Sequence, residues 1–134
     1  MAELLLQTQK PCEMIDITSW INARIPRDLK CGLCHVFCPH TTAGVTINEN
    51  ADPDVRHDLL AKLEKLIPHT EAFYRHCEGN SDAHLKAVLT GFSVVLPIAN
   101  GSLHLGRWQG VYFCEYDGPR TRKLQLLFQS ASES

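Results

Sequence analysis

Residues 92–103, with the sequence FSVVLPIANGSL, decide the fold of this chain. Phe92 to Ile98 is apolar and β-branched, which is typical of a strand, and Ser102 to Leu105 is a second extended segment. Asn100-Gly101 between them strongly favours a tight hairpin turn. The end of the chain is therefore predicted to be almost entirely β, with two further strands at Gly110 to Tyr116 and Arg122 to Phe128.

Helix signals alternate with extended segments in the preceding part of the chain. Asp52 can cap a helix over residues 53–67, and a further helix opens at Asn80 or Ser81 and ends before Gly91. Thr18 is expected to cap a short helix. Four more strands are predicted: Leu4 to Gln9, Glu13 to Ile17, Cys31 to Phe37 and Gly44 to Asn48.

The composition is that of an ordinary globular domain. The 134 residues are 44% apolar and 21% charged, with a formal net charge of −2. The N-terminus lacks a signal-peptide pattern, and no apolar run approaches the ~20 residues that span a bilayer. We therefore expect one cytoplasmic α+β domain over residues 1–134, with antiparallel or mixed sheets, about three helices and a frayed tail at 130–134. Neither nucleic acid nor membrane is an expected partner.

The six cysteines do not indicate a disulfide framework, because the chain is large enough for a core and shows no secretion signal. Cys31 and Cys34 form a CxxC pattern, but it leads into a predicted strand, where residues three apart point to opposite faces. We interpret the cysteines as mostly buried structural thiols.

Three histidines lie in segments that are rich in polar residues and contain glycines. His40 follows a predicted strand, while His76 precedes and His84 opens the second long helix, so the Gly79-Asn80 turn can bring these two together. Three imidazoles leave a coordination position open on a metal, and Asp82 could orient one of them. The alternative is that a backbone carbonyl satisfies each ring. That interpretation is kept for the other histidines: His35, His57, His69 and His104.

Two further groups could carry chemistry. Glu49 ends a predicted strand near His40 and is either part of a helix start or a general base. Arg107 and Arg120, with Arg122, could bind an anion. Their alternative is a hairpin with solvated arginines and a core Trp108.

Taken together, the motifs resemble those of the YjbQ-like family, which is associated with secondary thiamine-phosphate synthase activity. The segments that carry the resemblance are His40 to Gly44, Asn48 to Pro53, His76 to His84, Gly106 to Gly110, Glu115 and Asp117 to Arg120. The resemblance implies a compact α+β fold, a homotrimer and a metal site, usually zinc, formed by His40, His76 and His84. It also implies that Glu49, Asn80, Asp82, Gln109 and Glu115 line the same cleft. Arg107 departs from the small residue, often threonine, expected before Trp108-Gln109.

The resulting hypothesis is a metal-dependent enzyme with thiamine-phosphate synthase-like activity, joining a pyrimidine pyrophosphate to a thiazole phosphate. Its metal is zinc, with magnesium as the alternative for a phosphorylated substrate, and its substrate is a small anion. Two alternatives are a metal-assisted hydrolase or lyase of a small phosphorylated or carboxylated metabolite, and a non-catalytic binding module. The candidate catalytic residues are Glu49, Glu115 and Asp82, and the candidate substrate-binding residues are Asn48, Asn80, Arg107, Trp108, Gln109 and Arg120.

Overall fold

A computed structural model describes residues 1–132 of the chain. Eight strands and three helices make up this part of the protein, in the order that the sequence predicts. They are β1 (Ala2–Gln7), β2 (Glu13–Asp16), α1 (Thr18–Asn22), β3 (Gly32–Phe37), β4 (Ala43–Glu49), α2 (Pro53–Leu66), α3 (Ser81–Thr90), β5 (Ser93–Ala99), β6 (Ser102–Leu103), β7 (Gln109–Glu115) and β8 (Thr121–Ser130). Ser130 belongs to β8, and the last two positions of the predicted frayed tail, 133 and 134, lie outside the described residues.

The strands form two antiparallel sheets. The larger sheet has the order β1-β8-β3-β5-β6, and the smaller one has the order β2-β7-β4. The prediction of an α+β domain is thus confirmed, with the sheets antiparallel throughout the described part. No helix within it is long and apolar enough to cross a membrane.

Strand β7 links two apolar cores because its alternating side chains point to opposite faces. Val111 and Phe113 pack between the two sheets, whereas Tyr112 and Cys114 pack beneath α3 with Ala83. The domain therefore has three layers: the five-stranded sheet, the three-stranded sheet in the middle, and helices α2 and α3 on the other side. The outer face of the five-stranded sheet is not covered by any described element.

Local signals set most element boundaries. Asp52 accepts a hydrogen bond from the Asp54 amide at 2.9 Å and caps α2. The prediction that Thr18 caps α1 is wrong, because Thr18 is the first helical residue. Asp16 instead accepts from the Thr18 amide and hydroxyl, and the hydroxyl oxygen accepts from the Val111 amide in β7.

All six cysteines are free. Burial raises the pKa of Cys34 to about 11 and that of Cys114 to about 12. Both thiols are therefore protonated near neutral pH and inert as nucleophiles, in line with their interpretation as structural residues.

A buried ion pair joins the two sheets. Arg122 of β8 donates from Nε to the Glu115 carboxylate of β7 at 2.9 Å and from Nη2 to the same carboxylate at 2.5 Å. Thr8 donates a further bond to Glu115 at 2.8 Å, and Arg122 donates to the Thr42 hydroxyl at 2.9 Å. Both charged groups are buried, so each depends on the other for its neutralisation.

Glu115→Gln is expected to lower the free energy of unfolding by about 3–5 kcal/mol, because it leaves a buried guanidinium without its counter-charge. Urea unfolding at pH 7, followed by circular dichroism, measures the change. The matched control is Glu3→Gln, which removes a half-exposed pair with Lys123 and should cost less than about 1 kcal/mol.

The stability lost in Glu115→Gln is expected to depend on pH. Burial acts to raise the pKa of Glu115, but hydrogen bonds from Arg122, Asp117 and Thr8 bring it below its ordinary value. Stability from this carboxylate is therefore present above the unfolded pKa of about 4.3 and lost as the pH falls. The gap between wild type and Glu115→Gln should narrow below about pH 4; a constant gap would contradict this assignment.

Candidate functional site

His76 and His84 lie side by side. Their ring centroids are 5.4 Å apart and their planes meet at 82°. His84 sits in the first turn of α3, and a turn at Gly79, whose φ of 74° suits glycine, returns the chain so that His76 faces it. The two rings open into a cavity of about 520 Å³. This histidine pocket is lined by Phe73, Tyr74, Arg75, His76, Ser81, His84 and Leu85.

His40 lies in a different cavity of about 410 Å³, the His40 pocket, which also contains Phe37 and Phe92. Its Nε2 lies 3.1 Å from the carbonyl oxygen and 3.0 Å from the amide nitrogen of Lys123. In one neutral tautomer Nε2 carries the proton and donates to that carbonyl, which leaves the lone pair of Nδ1 free. In the other, Nε2 accepts from the Lys123 amide and Nδ1 carries the proton. Burial and the Arg122 charge lower the pKa of His40, so the ring is neutral near pH 7.

Within one chain, the three predicted ligands do not form one centre. Over residues 1–132, no three His, Cys, Asp or Glu side chains lie close enough together to hold a metal ion. The structure thus brings two of the three histidines together and leaves His40 in its own pocket.

Asp82 and Lys86 form a buried pair at the start of α3, and the more exposed His69 and Glu64 contact it from outside. One carboxylate oxygen is 3.2 Å from Nδ1 of His69, and the other is 3.4 Å from Nζ of Lys86, which also bonds Glu64 at 2.6 Å. Burial opposes the charge of Lys86, whose side chain is 2% exposed, but the hydrogen bond to Glu64 raises its pKa above the ordinary value. Lys86 is therefore a charged ammonium, and Asp82 is held between it and His69.

His69 and Lys86 were missed by the sequence interpretation. His69 follows the end of α2 and lies 13 positions from Asp82, a spacing that matches no regular periodicity. Lys86 at i+4 from Asp82 is a helix-pair signal, but that pattern more often marks an exposed face. Burial, which distinguishes this pair, is not visible in the spacing.

Asn80 and Arg120 meet at Asp117. Nδ2 of Asn80 donates to the Asp117 carboxylate at 2.8 Å, and Nη2 of Arg120 donates to the same oxygen at 2.9 Å. Arg120 is thereby tied to the turn that precedes β8. Asn80 and Asp82 belong to a cavity of about 310 Å³. This Asn80 cleft is lined by Pro11, Cys12, Glu64, His69, Asn80, Asp82, Tyr116 and Asp117.

Glu115, a predicted acid or base, is fully buried in the ion pair with Arg122. Its oxygens already accept bonds from Arg122, Thr8 and the Asp117 amide. Neither the histidine pocket nor the His40 pocket is lined by it. In this position Glu115 holds the sheets together.

The remaining predicted residues lie at the opposite end of β7. Glu49 pairs with Gln109 across the small sheet, and Asn48 pairs with Gly110. A seven-residue strand separates this end from Glu115 by about 20 Å. Arg107 stacks on Trp108, with 4.9 Å between the guanidinium carbon and the ring centroid. Trp108 is 54% exposed, so the alternative of a core tryptophan is wrong.

A two-sheet α+β domain with a histidine pair at a helix start is the class that the fold and the site define. The chain belongs to the family described as UPF0047 protein YjbQ-like, whose model matches residues 2–131. It is 49% identical to the UPF0047 protein YugU of Bacillus subtilis over 120 residues, which cover 89% of this chain and 91% of the relative. It is also 49% identical to the UPF0047 protein MJ1081 of Methanocaldococcus jannaschii over 122 residues, covering 90% and 88%.

Two solved structures show the same fold. An uncharacterized conserved protein of the YjbQ/UPF0047 family from Clostridium acetobutylicum superposes with a TM-score of 0.92 at 48% identity, covering 96% of this chain and all of that one. The conserved hypothetical protein TT1486 from Thermus thermophilus gives 0.91 at 41% identity, with 96% and 100% covered. The family is thus established, while these names state no reaction.

The environment of His40 predicts its titration. Because burial and Arg122 disfavour the imidazolium, the ring should protonate below the pH of about 6.5 that is usual for histidine. Carbon-detected NMR of the imidazole Cε1–H signals against pH measures this, with His40→Gln used to assign the resonance. A midpoint at or above about 6.5 would contradict the described packing.

Proposed function

We propose that this protein is a metal-dependent enzyme in which His76 and His84 hold a divalent metal, zinc under cellular conditions. The separation of the two rings is the observation that carries the proposal. A tetrahedral zinc with bonds of about 2.1 Å sets two imidazole centroids about 5 Å apart. The observed 5.4 Å is close to that distance.

The proposal assigns the third ligand to His40 of a neighbouring copy. A zinc that catalyses takes three protein ligands and one open position, and the described part of a single chain supplies two at this point. His40 meets the requirements of a ligand in the tautomer in which Nε2 donates to the Lys123 carbonyl, because its ring is neutral near pH 7 and Nδ1 is then free.

Two apolar surfaces support this assembly. The exposed face of α3 carries Leu85, Val88 and Leu89 beside His84. The outer face of the five-stranded sheet carries Phe37 and other apolar side chains near His40. Because these surfaces differ, a contact between them is head-to-tail. Such a contact forms a ring when the rotation between copies closes, and the proposal takes a ring of three copies. The further apolar residues of the sheet face are Leu5, Val95 and Leu127.

The pocket chemistry favours an anionic substrate. Arg75 stands beside the two imidazoles and can bind a phosphate or carboxylate, while Phe73 and Tyr74 offer an aromatic wall. A zinc with an open position activates water or polarises an oxygen of such a group. The proposed reaction is therefore hydrolysis or lyase cleavage of a small phosphorylated or carboxylated metabolite. The free cysteines fit the reducing cytoplasm as its location.

A synthase-like transfer needs more cationic side chains in the pocket, because two phosphorylated substrates need separate cationic contacts. Arg75 is the one arginine or lysine among the described residues that line the histidine pocket. Synthase-like transfer is therefore not the proposed reaction, and the turnover assay below includes it as an alternative. The group around Glu49 and Gln109 takes no part in the proposed metal site.

Metal analysis tests the ligands. Wild-type protein should retain about one zinc per chain after dialysis against excess buffer, and His76→Ala, His84→Ala and His40→Ala should each lose most of it. His57→Ala is the matched control, because His57 is exposed on α2 and, among residues 1–132, pairs with Asp58 alone. Stoichiometric metal in all three variants would rule out the assignment.

Turnover then separates enzyme from binder. The zinc-loaded protein is screened against small phosphate esters and carboxylate esters, and in parallel for joining a pyrimidine pyrophosphate to a thiazole phosphate. Hydrolysis or cleavage that is lost in His84→Ala supports the proposal. If only the transfer reaction is observed, the protein is a synthase-like transferase and not a hydrolase or lyase. Stoichiometric zinc without turnover of any substrate would identify a binding module.

Val88→Asp tests the shared site. Val88 is 66% exposed on α3, and a carboxylate there should oppose burial against another copy. The molar mass measured by light scattering should fall from three times the 15.0 kDa chain mass to one chain mass. Zinc retention should fall as well, because a monomer receives no His40 from another copy. The control is Leu66→Asp, at a similarly exposed position at the end of α2. Zinc retained by a monomeric Val88→Asp protein would show that the site lies within one chain.

A further inference from the structure

A fourth histidine near the proposed metal site is held by a buried carboxylate. His69 lies in the loop after α2, with its Nδ1 3.2 Å from one oxygen of Asp82. The Asp82 side chain is 8% exposed, and its other oxygen lies 3.4 Å from Nζ of Lys86. The His69 side chain, in contrast, is 69% exposed. The pair therefore combines a fixed carboxylate with an imidazole that reaches solvent.

The carboxylate determines which ring nitrogen of His69 carries the proton. Lys86 can only donate hydrogen bonds and an ionised carboxylate can only accept them, so Asp82 accepts from both of its neighbours. In the neutral ring, Nδ1 must then carry the proton that it shares with Asp82, and the lone pair is on Nε2. A carboxylate that orients an imidazole in this way prepares the second ring nitrogen to accept a proton.

His69 opens onto a cavity of about 240 Å³ beside the histidine pocket. This His69 cavity is lined by His69, Thr70, Glu71, Tyr74, His76, Gly79 and Ser81. Tyr74, His76 and Ser81 also line the histidine pocket, so the two cavities are neighbours. A water molecule in the His69 cavity can therefore lie between the His69 imidazole and a substrate in the histidine pocket.

The loop that carries His69 is fixed by its own hydrogen bonds. The Tyr74 hydroxyl donates to the Pro68 carbonyl at 2.9 Å, and the Tyr74 amide donates to the Glu71 carbonyl at 3.1 Å. These bonds close residues 68–74 into a compact loop whose last residue lines both cavities. His69 is thus held on both sides, by Asp82 of α3 and by the loop itself.

We propose that His69 is the general base for hydrolysis at the histidine pocket and that Asp82 is its positioning residue. This inference rests on the proposed function, with a phosphate or carboxylate ester as substrate. Nε2 of His69 takes a proton from water, whose oxygen keeps the electron pair of the broken O–H bond and bonds to the phosphorus or acyl carbon. The bond to the leaving oxygen breaks, and that oxygen takes its electron pair and receives the proton from Nε2. Such proton transfer contributes about 10²–10⁴-fold to a rate.

Kinetics of the zinc-loaded full chain test the base. His69→Ala should lower kcat about 100-fold or more and leave KM within about 3-fold of wild type. Added imidazole should restore part of the kcat of His69→Ala and should not raise that of wild type. Glu71→Gln is the matched control, because it removes another potential base from the same cavity, and it should keep the wild-type kcat.

The outcomes separate this proposal from the metal site. His69→Ala should retain as much zinc as wild type, and loss of zinc would make His69 a ligand and overturn its role as base. Wild-type kcat in His69→Ala, no rescue by imidazole, or an equal loss in Glu71→Gln would overturn this proposal alone. Zinc-loaded wild type without turnover would overturn the proposed function as well.

A spectroscopic test needs neither metal nor turnover. Two-bond ¹H–¹⁵N correlations of the metal-free chain at about pH 8, where histidine is ordinarily neutral, should show the His69 proton on Nδ1. His69→Ala assigns the resonance. Asp82→Asn should move the proton to Nε2, because the amide oxygen turns to Lys86 and the amide nitrogen donates to Nδ1.

Asp58→Asn is the control for the tautomer, since Asp58 lies beside the exposed His57 on α2, and it should leave the His69 signal unchanged. A proton on Nε2 of wild-type His69, or an unchanged tautomer in Asp82→Asn, would overturn the assignment of these two residues.

Discussion

The ion pair between Glu115 and Arg122 is the contact on which the remaining architecture depends. It joins the middle strand of the small sheet to a strand of the large one, with both charges out of contact with water. Such a pair adds little stability over an apolar contact, but it tolerates only one alignment of its donors and acceptors. Since Thr8 and Thr42 complete the arrangement, four segments are fixed relative to one another at this end of the sheets. The start of α3 and the His40 segment are held at the same end.

The helices and strands can be predicted from local sequence signals, whereas the arrangement of the site residues cannot. Asp52 before Pro53 and the Asn100-Gly101 turn act within a few residues, so their structural result can be predicted from the sequence. The site instead depends on contacts such as Asn80 with Asp117, 37 positions apart, which no local pattern specifies. The same limit explains Glu115: the resemblance implied that it lines the cleft, and only the packed structure shows that its carboxylate is paired with the Arg122 guanidinium. For His76 and His84 the glycine turn was a sufficient local signal.

The start of α3 has two chemically different sides. One side carries the paired imidazoles and Arg75, which suit a metal and an anion. The other carries Asn80, which is bonded to Asp117, and Asp82, which is bonded to Lys86. The identity shared with relatives establishes the family, and the site chemistry determines which ligands are worth testing.

Strand β7 has a consequence for how the protein opens. It is hydrogen-bonded on both sides, and six of its seven residues are buried. Its amide protons can exchange with solvent only when both cores separate, so they should report the global unfolding free energy. The edge strands β1 and β6 can open without disturbing the small sheet, and α2, which has no fully buried residue, can open more easily still. Protection against exchange should therefore decline outward from β7.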